Sequence, residues 1–102
     1  MPRFRETIPI DDYVIDVLLR DIVGHDRQPA AFLVYLYLYG QAARNRWRPV
    51  RASLRELSEA TGLSKSAVQS ALKSLNYRNL LESKRNGGNI SPKHYVLRHW
   101  RK

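Results

Sequence analysis

Between positions 65 and 73 stand Lys65, Ser66, Gln69, Ser70 and Lys73, side chains that can hold a polyanion. Lysine neutralises phosphate, and serine and glutamine donate hydrogen bonds to phosphate oxygens and base edges. Their spacing puts them on one side of a helix. The other side is Leu63, Ala67, Val68, Ala71, Leu72 and Leu75, an apolar stripe at intervals of three and four. The polar side holds no acid. A helix buried along one side and offering short polar and basic groups on the other suits the major groove of a duplex.

The elements around this helix are also legible. Residues 54–75 read LRELSEATGLSKSAVQSALKSL, two short helices joined by a tight turn. Leu54, Leu57 and Ala60 give the first helix its stripe. Ser53 and Glu56 have the spacing of a capping box at its start. Gly62 stands where the turn needs positive φ, and Ser64 is the natural N-cap of the second helix. Further on, Leu80, Leu81 and Ser83 begin one strand, and Tyr95, Val96 and Leu97 form another. Asn86, Gly87, Gly88 and Asn89 make the turn between them. Lys84, Arg85 and Lys93 lie near the tip of this hairpin, directly after the polar helix. That position favours a functional role over that of a merely solvated loop.

The first half of the chain differs in charge. Residues 1–43 carry four basic and six acidic side chains, and residues 44–102 carry fourteen basic against Glu56, Glu59 and Glu82. The formal charge of +9 is therefore concentrated where the two short helices lie, which points to a polyanionic partner. Residues 1–10 read as extended, with Pro2 and Pro9 disfavouring helix. Asp11 or Asp12 is expected to cap a first helix with the stripe Val14, Ile15, Leu18, Leu19, Ile22 and Val23, stopping at Gly24. Asp11, Asp12 and Asp16 suit the positive end of that helix better than a metal site.

Pro29 opens a second segment. Tyr35, Tyr37 and Tyr39 alternate with Leu36 and Leu38 as in a strand, but Pro29, the flanking alanines and the segment's length predict a helix over 29–45. Gly40 inside it costs about 1 kcal/mol and permits close packing. The apolar run from Phe32 to Tyr39 leaves this helix no polar face. Its cover is either a second copy of the chain, giving a homodimer through the first two helices, or the first helix and the N-terminal arm of the same chain. The tyrosines read as core or interface rather than as platforms for bases. Arg48 to Ala52 read as a short strand leading into the two-helix motif.

Other chemistry finds no support. The chain has no cysteine, which excludes disulfides, a thiolate nucleophile and Cys-based zinc sites. His25, His94 and His99 have no ligand spacing. No serine sits in a nucleophile-elbow context and no glycine-rich phosphate loop follows a strand. The expectation is a cytoplasmic, non-enzymatic protein without cofactor or metal, and no apolar run approaches the roughly 20 residues of a membrane helix.

The fold class expected is mainly α with a small β-hairpin. From residue 50 onward, LRELSEATGLSKSAVQSALKSLNYRNLLES and the following KRNGGN resemble bacterial winged helix-turn-helix regulators of the MarR-like and GntR-like groups, and DNA-binding domains of some plasmid replication initiators. The resemblance implies a single winged helix domain over 1–102. It divides into an arm and two helices (1–48), a helix-turn-helix (49–79) and a wing hairpin (80–102). It also implies a recognition helix over 64–77, with Ser64, Lys65, Ser66, Gln69, Ser70 and Lys73 on double-stranded DNA. Gln69 is then the base reader, through bidentate pairing with adenine, and Lys65 and Lys73 hold phosphates. Lys84, Arg85 and Lys93 in the wing, and Arg51 and Arg55 near the first helix of the motif, become backbone contacts. The recognition helix has no arginine, so the commonest specific contact, arginine to guanine, is absent there. Transcription regulation is the leading expectation. A replication, partition or phage-type DNA-binding role, and a protein-interaction module, are the alternatives.

Overall fold

Pro29 starts the helix around which the rest of the chain is arranged. In the computed structural model, which describes residues 7–101 apart from Asn86 and Asn89, Pro29 occupies the first turn of α1 (Pro29–Arg44), where a missing N–H costs nothing. The expected extended stretch over 1–6 with Pro2, the turn residues Asn86 and Asn89, and Lys102 lie outside the described residues. After α1 come β1 (Val50–Arg51), α2 (Leu54–Thr61), α3 (Lys65–Tyr77), β2 (Leu81–Lys84) and β3 (Lys93–Val96). The strands form one antiparallel sheet in the order β1-β3-β2. The chain is thus mainly helical with a small three-stranded sheet, one strand more than the hairpin alone.

The strand-like alternation in α1 is overridden by its helix-forming context. Ala31, Phe32, Val34, Tyr35, Leu38, Tyr39 and Ala42 are buried, and the cover comes from within the chain. The C-terminal half of the N-terminal helix, α2, α3, β1 and β3 all pack against α1. Leu33 remains exposed. Tyr35 donates to the Leu97 carbonyl at 3.0 Å, and the Tyr39 hydroxyl accepts from the Asp11 N–H at 3.0 Å, so both rings are core with their polar ends satisfied. Burial raises the Tyr35 phenol above its ordinary value. At Gly40 an added Cβ would lie 3.4 Å from the Ile8 side chain, an ordinary van der Waals contact, so the approach of the N-terminal arm does not itself require glycine.

The first helix, residues 12–25, departs from expectation in four ways. Val14–Leu18 and Arg20–His25 are wound as π turns, with bonds such as Asp26 N–H to Asp21 C=O at 2.8 Å. Only the row Val14, Leu18 and Ile22 is buried, while Ile15 and Leu19 are exposed. The Asp11 carboxylate is turned away from capping: it accepts from Trp100 Nε1 at 2.8 Å and from Arg101 Nε and Nη2, each at 2.7 Å. Nor does Gly24 end the helix. The left-handed residue is Arg27, at φ 57°.

The turn chemistry of the two-helix motif is as the sequence predicts. Ser53 and Glu56 form a reciprocal capping box, at 3.1 and 2.9 Å. Gly62 adopts φ 78°, and Ser64 accepts from the Ala67 N–H at 3.1 Å. Val68, Ala71 and Leu75 of α3 are buried and pack against α1 and α2. Gly87 and Gly88, at φ 65° and 61°, supply the left-handed turn of the hairpin. No helix among the described residues is long and apolar enough to cross a membrane.

Candidate nucleic-acid interface

The inward rows of α3 fix which side chains remain outside. With Val68, Ala71 and Leu75 buried, Lys65, Ser66, Gln69, Ser70 and Lys73 are exposed. Between this face and the hairpin runs a groove of about 380 Å³, bordered by Leu54, Gln69, Leu72, Lys73, Arg85 and Pro92. A second depression of about 390 Å³ adjoins it and is bordered by Ser53, Arg55, Lys65, Arg85 and Ser91. Leu54, Arg85 and Pro92 belong to both. Together they bring Arg55, Lys65, Gln69, Lys73 and Arg85 to one concave surface. No carboxylate borders either part.

The floor of the groove is a hydrogen-bonded network absent from the sequence reading. Asn76 of α3 donates through Nδ2 to Ser83 Oγ at 3.0 Å and to the Leu72 carbonyl at 2.8 Å. Its Oδ1 accepts from the Ser83 N–H at 2.9 Å. Ser83 Oγ lies 2.8 Å from His94 Nδ1, and His94 Nε2 lies 3.0 Å from the Ala52 carbonyl. That carbonyl can only accept, so Nε2 carries the proton and Nδ1 accepts from the Ser83 hydroxyl. Burial holds the His94 imidazole below its ordinary pKa, the bond to Ala52 opposing this. The network joins α3, β2, β3 and the entrance to α2, and so fixes the walls of the groove relative to one another. Strand alternation puts His94 on the same face as Val96, which was the available signal for its burial.

The remaining candidates divide. Ser64, Ser66 and Ser70 lie at the N-terminal end or along the exposed side of α3. The Ser64 oxygen is engaged as the cap and lies 3.3 Å from that of Ser66. Arg55 is paired with Glu59 at 3.2 Å, both largely exposed. An exposed pair of this spacing contributes only about 0.3–0.5 kcal/mol, so a phosphate competes readily with it.

Arg51 and Lys93 face elsewhere, and Lys84 lies between the groove and the outer face. Ser83 and His94 are opposite each other and point to the core, so their neighbours Lys84 and Lys93 point to the outer face of the sheet. Arg51, opposite Lys93, joins them. Lys84 borders the groove, but its ammonium lies 3.8 Å from Glu82 and 5.5 Å from the Tyr95 ring centroid on the outer side. Arg51 donates to the Ser91 carbonyl at 2.8 Å and braces the return of the hairpin.

Among the described residues no group of three His, Cys, Asp or Glu side chains is placed to hold a metal ion. Asp11 and Asp26 are instead held below the usual carboxylate range, by Arg101 with Trp100 and by Arg78 with His25 respectively. No protein-family model matches the chain, and no curated protein matches it in sequence.

Proposed function

We propose that the chain is a DNA-binding domain of the winged helix type, acting as a small transcription regulator, with α3 as the helix that enters the major groove. One observation carries this reading: Arg55, Lys65, Gln69, Lys73 and Arg85 converge on a concave, carboxylate-free surface between α3 and the hairpin. Such a surface suits the phosphates flanking a major groove, with the exposed Gln69 carboxamide available to a base edge. The element order, from α1 through β1, α2 and α3 to a hairpin whose second strand lies between its partners, is consistent with a winged helix. The same surface would serve a replication or partition protein equally well.

A homodimer through the first two helices remains part of the proposal in reduced form. α1 is covered within the chain, so the surface left to a partner is the exposed Ile15, Leu19 and Leu33. Sedimentation equilibrium of the parent and of Leu19→Lys tests it: a parent that is monomeric at high micromolar concentration removes the dimer.

The DNA reading is tested by titrating a random-sequence duplex at several salt concentrations. If about six phosphates are neutralised, log K falls against log salt with a slope near −5. No binding at low salt removes the reading and favours a protein-interaction module.

A further inference from the structure

Three cations stand in one row across the outer face of the sheet. Arg51 is directly opposite Lys93, and Lys93 is directly opposite Lys84. Strands lie about 4.8 Å apart, so the row spans about 10 Å. Like charges placed opposite one another destabilise a sheet. The only strand carboxylate on this face is Glu82, which reaches Lys84. Lys93, in the middle, has no ion-pair partner among the described residues. A row of this kind is complementary to closely spaced negative charge brought from outside. Tyr95 is the one aromatic body among the strand residues of this face, and it is half-buried beside Lys84. That is little apolar anchorage for a protein partner, whereas a phosphate backbone is held by charge alone.

The groove beside α3 is floored by Ser83, His94 and Ala52 on the inner side of the same sheet. A duplex seated there leaves Arg51 and Lys93 facing away from it, with Lys84 at the edge between the two surfaces. We propose that Arg51, Lys84 and Lys93 form a second polyanion surface that holds the phosphate backbone of another DNA segment, so that one protein links two duplexes. The proposal rests on the reading of the α3 groove as the first DNA site.

The test uses the full chain, a bead-linked random duplex of about 30 base pairs, or three helical turns, and a second, labelled duplex in solution. Affinity for a single duplex is measured separately by anisotropy. Parent protein is expected to bind the single duplex and to retain the labelled one on the beads. The double variant Arg51→Gln, Lys93→Gln is expected to keep single-duplex affinity within about twofold and to lose roughly tenfold in capture. Lys93→Glu alone, with folding of both variants followed by circular dichroism, is expected to lose capture similarly.

Capture unchanged in the variants overturns the proposal and assigns any linking to a dimer. Equal loss of single-duplex binding and capture also overturns it, because the row would then belong to the first site. So does a parent that binds one duplex and captures no second, or one that retains polyglutamate but no second duplex through these residues. A parent that binds no duplex at all fails the underlying DNA reading instead.

Discussion

His94 Nε2 donates to the Ala52 carbonyl at 3.0 Å, so a buried imidazole of the hairpin holds the residue that leads into α2. Protonating this imidazole would make both ring nitrogens donors and leave the Ser83 hydroxyl, already accepting from Asn76, without its acceptor. The folded-state pKa lies below the ordinary 6.5, so the unfolded chain takes up the proton first as pH falls. The contribution of this group to stability is complete above about pH 6.5 and is lost as pH drops from there toward the lowered folded value. Melting temperature is therefore expected to fall between about pH 7 and 5, and His94→Gln, which does not titrate, is expected to flatten that part of the profile. An unchanged slope in the variant would rule out His94 as its source.

Asp26 and Arg78 tie the end of the first helix to the end of α3 through two hydrogen bonds, one at 3.1 Å. Arg78 holds the Asp26 carboxyl below its ordinary value. The stabilisation is present above the unfolded pKa near 3.8 and is lost as pH falls through the folded one. Asp26→Asn is expected to cost about 1–2 kcal/mol at neutral pH, read by urea unfolding. Arg78→Lys should recover only part of the parent stability, because an ammonium cannot make the two-pronged contact.

Ser53→Ala removes the oxygen that receives the Glu56 N–H. The expected loss is about 1 kcal/mol, or a melting temperature lower by about 4–8 °C in a chain of this size. Duplex affinity per folded molecule should be unaffected. A loss of affinity at full folding would mean that Ser53 touches DNA.

Lys65 and Lys73 border the two adjoining parts of the groove. Replacing both by alanine is expected to weaken binding to all duplexes and to make the salt slope shallower by about 2. Gln69→Ala should instead change which sequences are selected from a random library, with the slope retained. A double lysine variant that binds as the parent does would remove α3 from the interface.

Local chemistry made the two-helix motif readable. The capping pair Ser53 and Glu56, the left-handed Gly62 and the cap Ser64 each satisfy a backbone requirement within a few residues, so their spacing alone carries the signal. The burial of α1 was readable as a property of the run Phe32 to Tyr39, but its cover was not, because that depends on elements from both ends of the chain. The π winding of the first helix left no mark in its apolar periodicity, and Asp11 gave no hint that it would turn to Arg101, 90 positions away. At the groove, the exposed face of α3 followed from helix periodicity. That Arg51 and Lys93 leave that surface for the outer one, with Lys84 bordering both, depends on strand register, which becomes definite only once β1 is paired with β3. Positive φ at Arg46 and Trp47 falls at residues whose types do not announce it, whereas Asn79 is of a type that tolerates it.

The bonds from Trp100 and Arg101 to Asp11 have a mechanical meaning. A pull applied between residues 11 and 101 loads this clamp, reinforced by the Tyr13 and Trp100 rings stacked at 4.7 Å. While the clamp holds, tension passes across a few side chains and bypasses α3 and the hairpin. Whatever tethers are attached outside residues 11 and 101, α3 and the hairpin are expected to keep their shape under load until the clamp gives way.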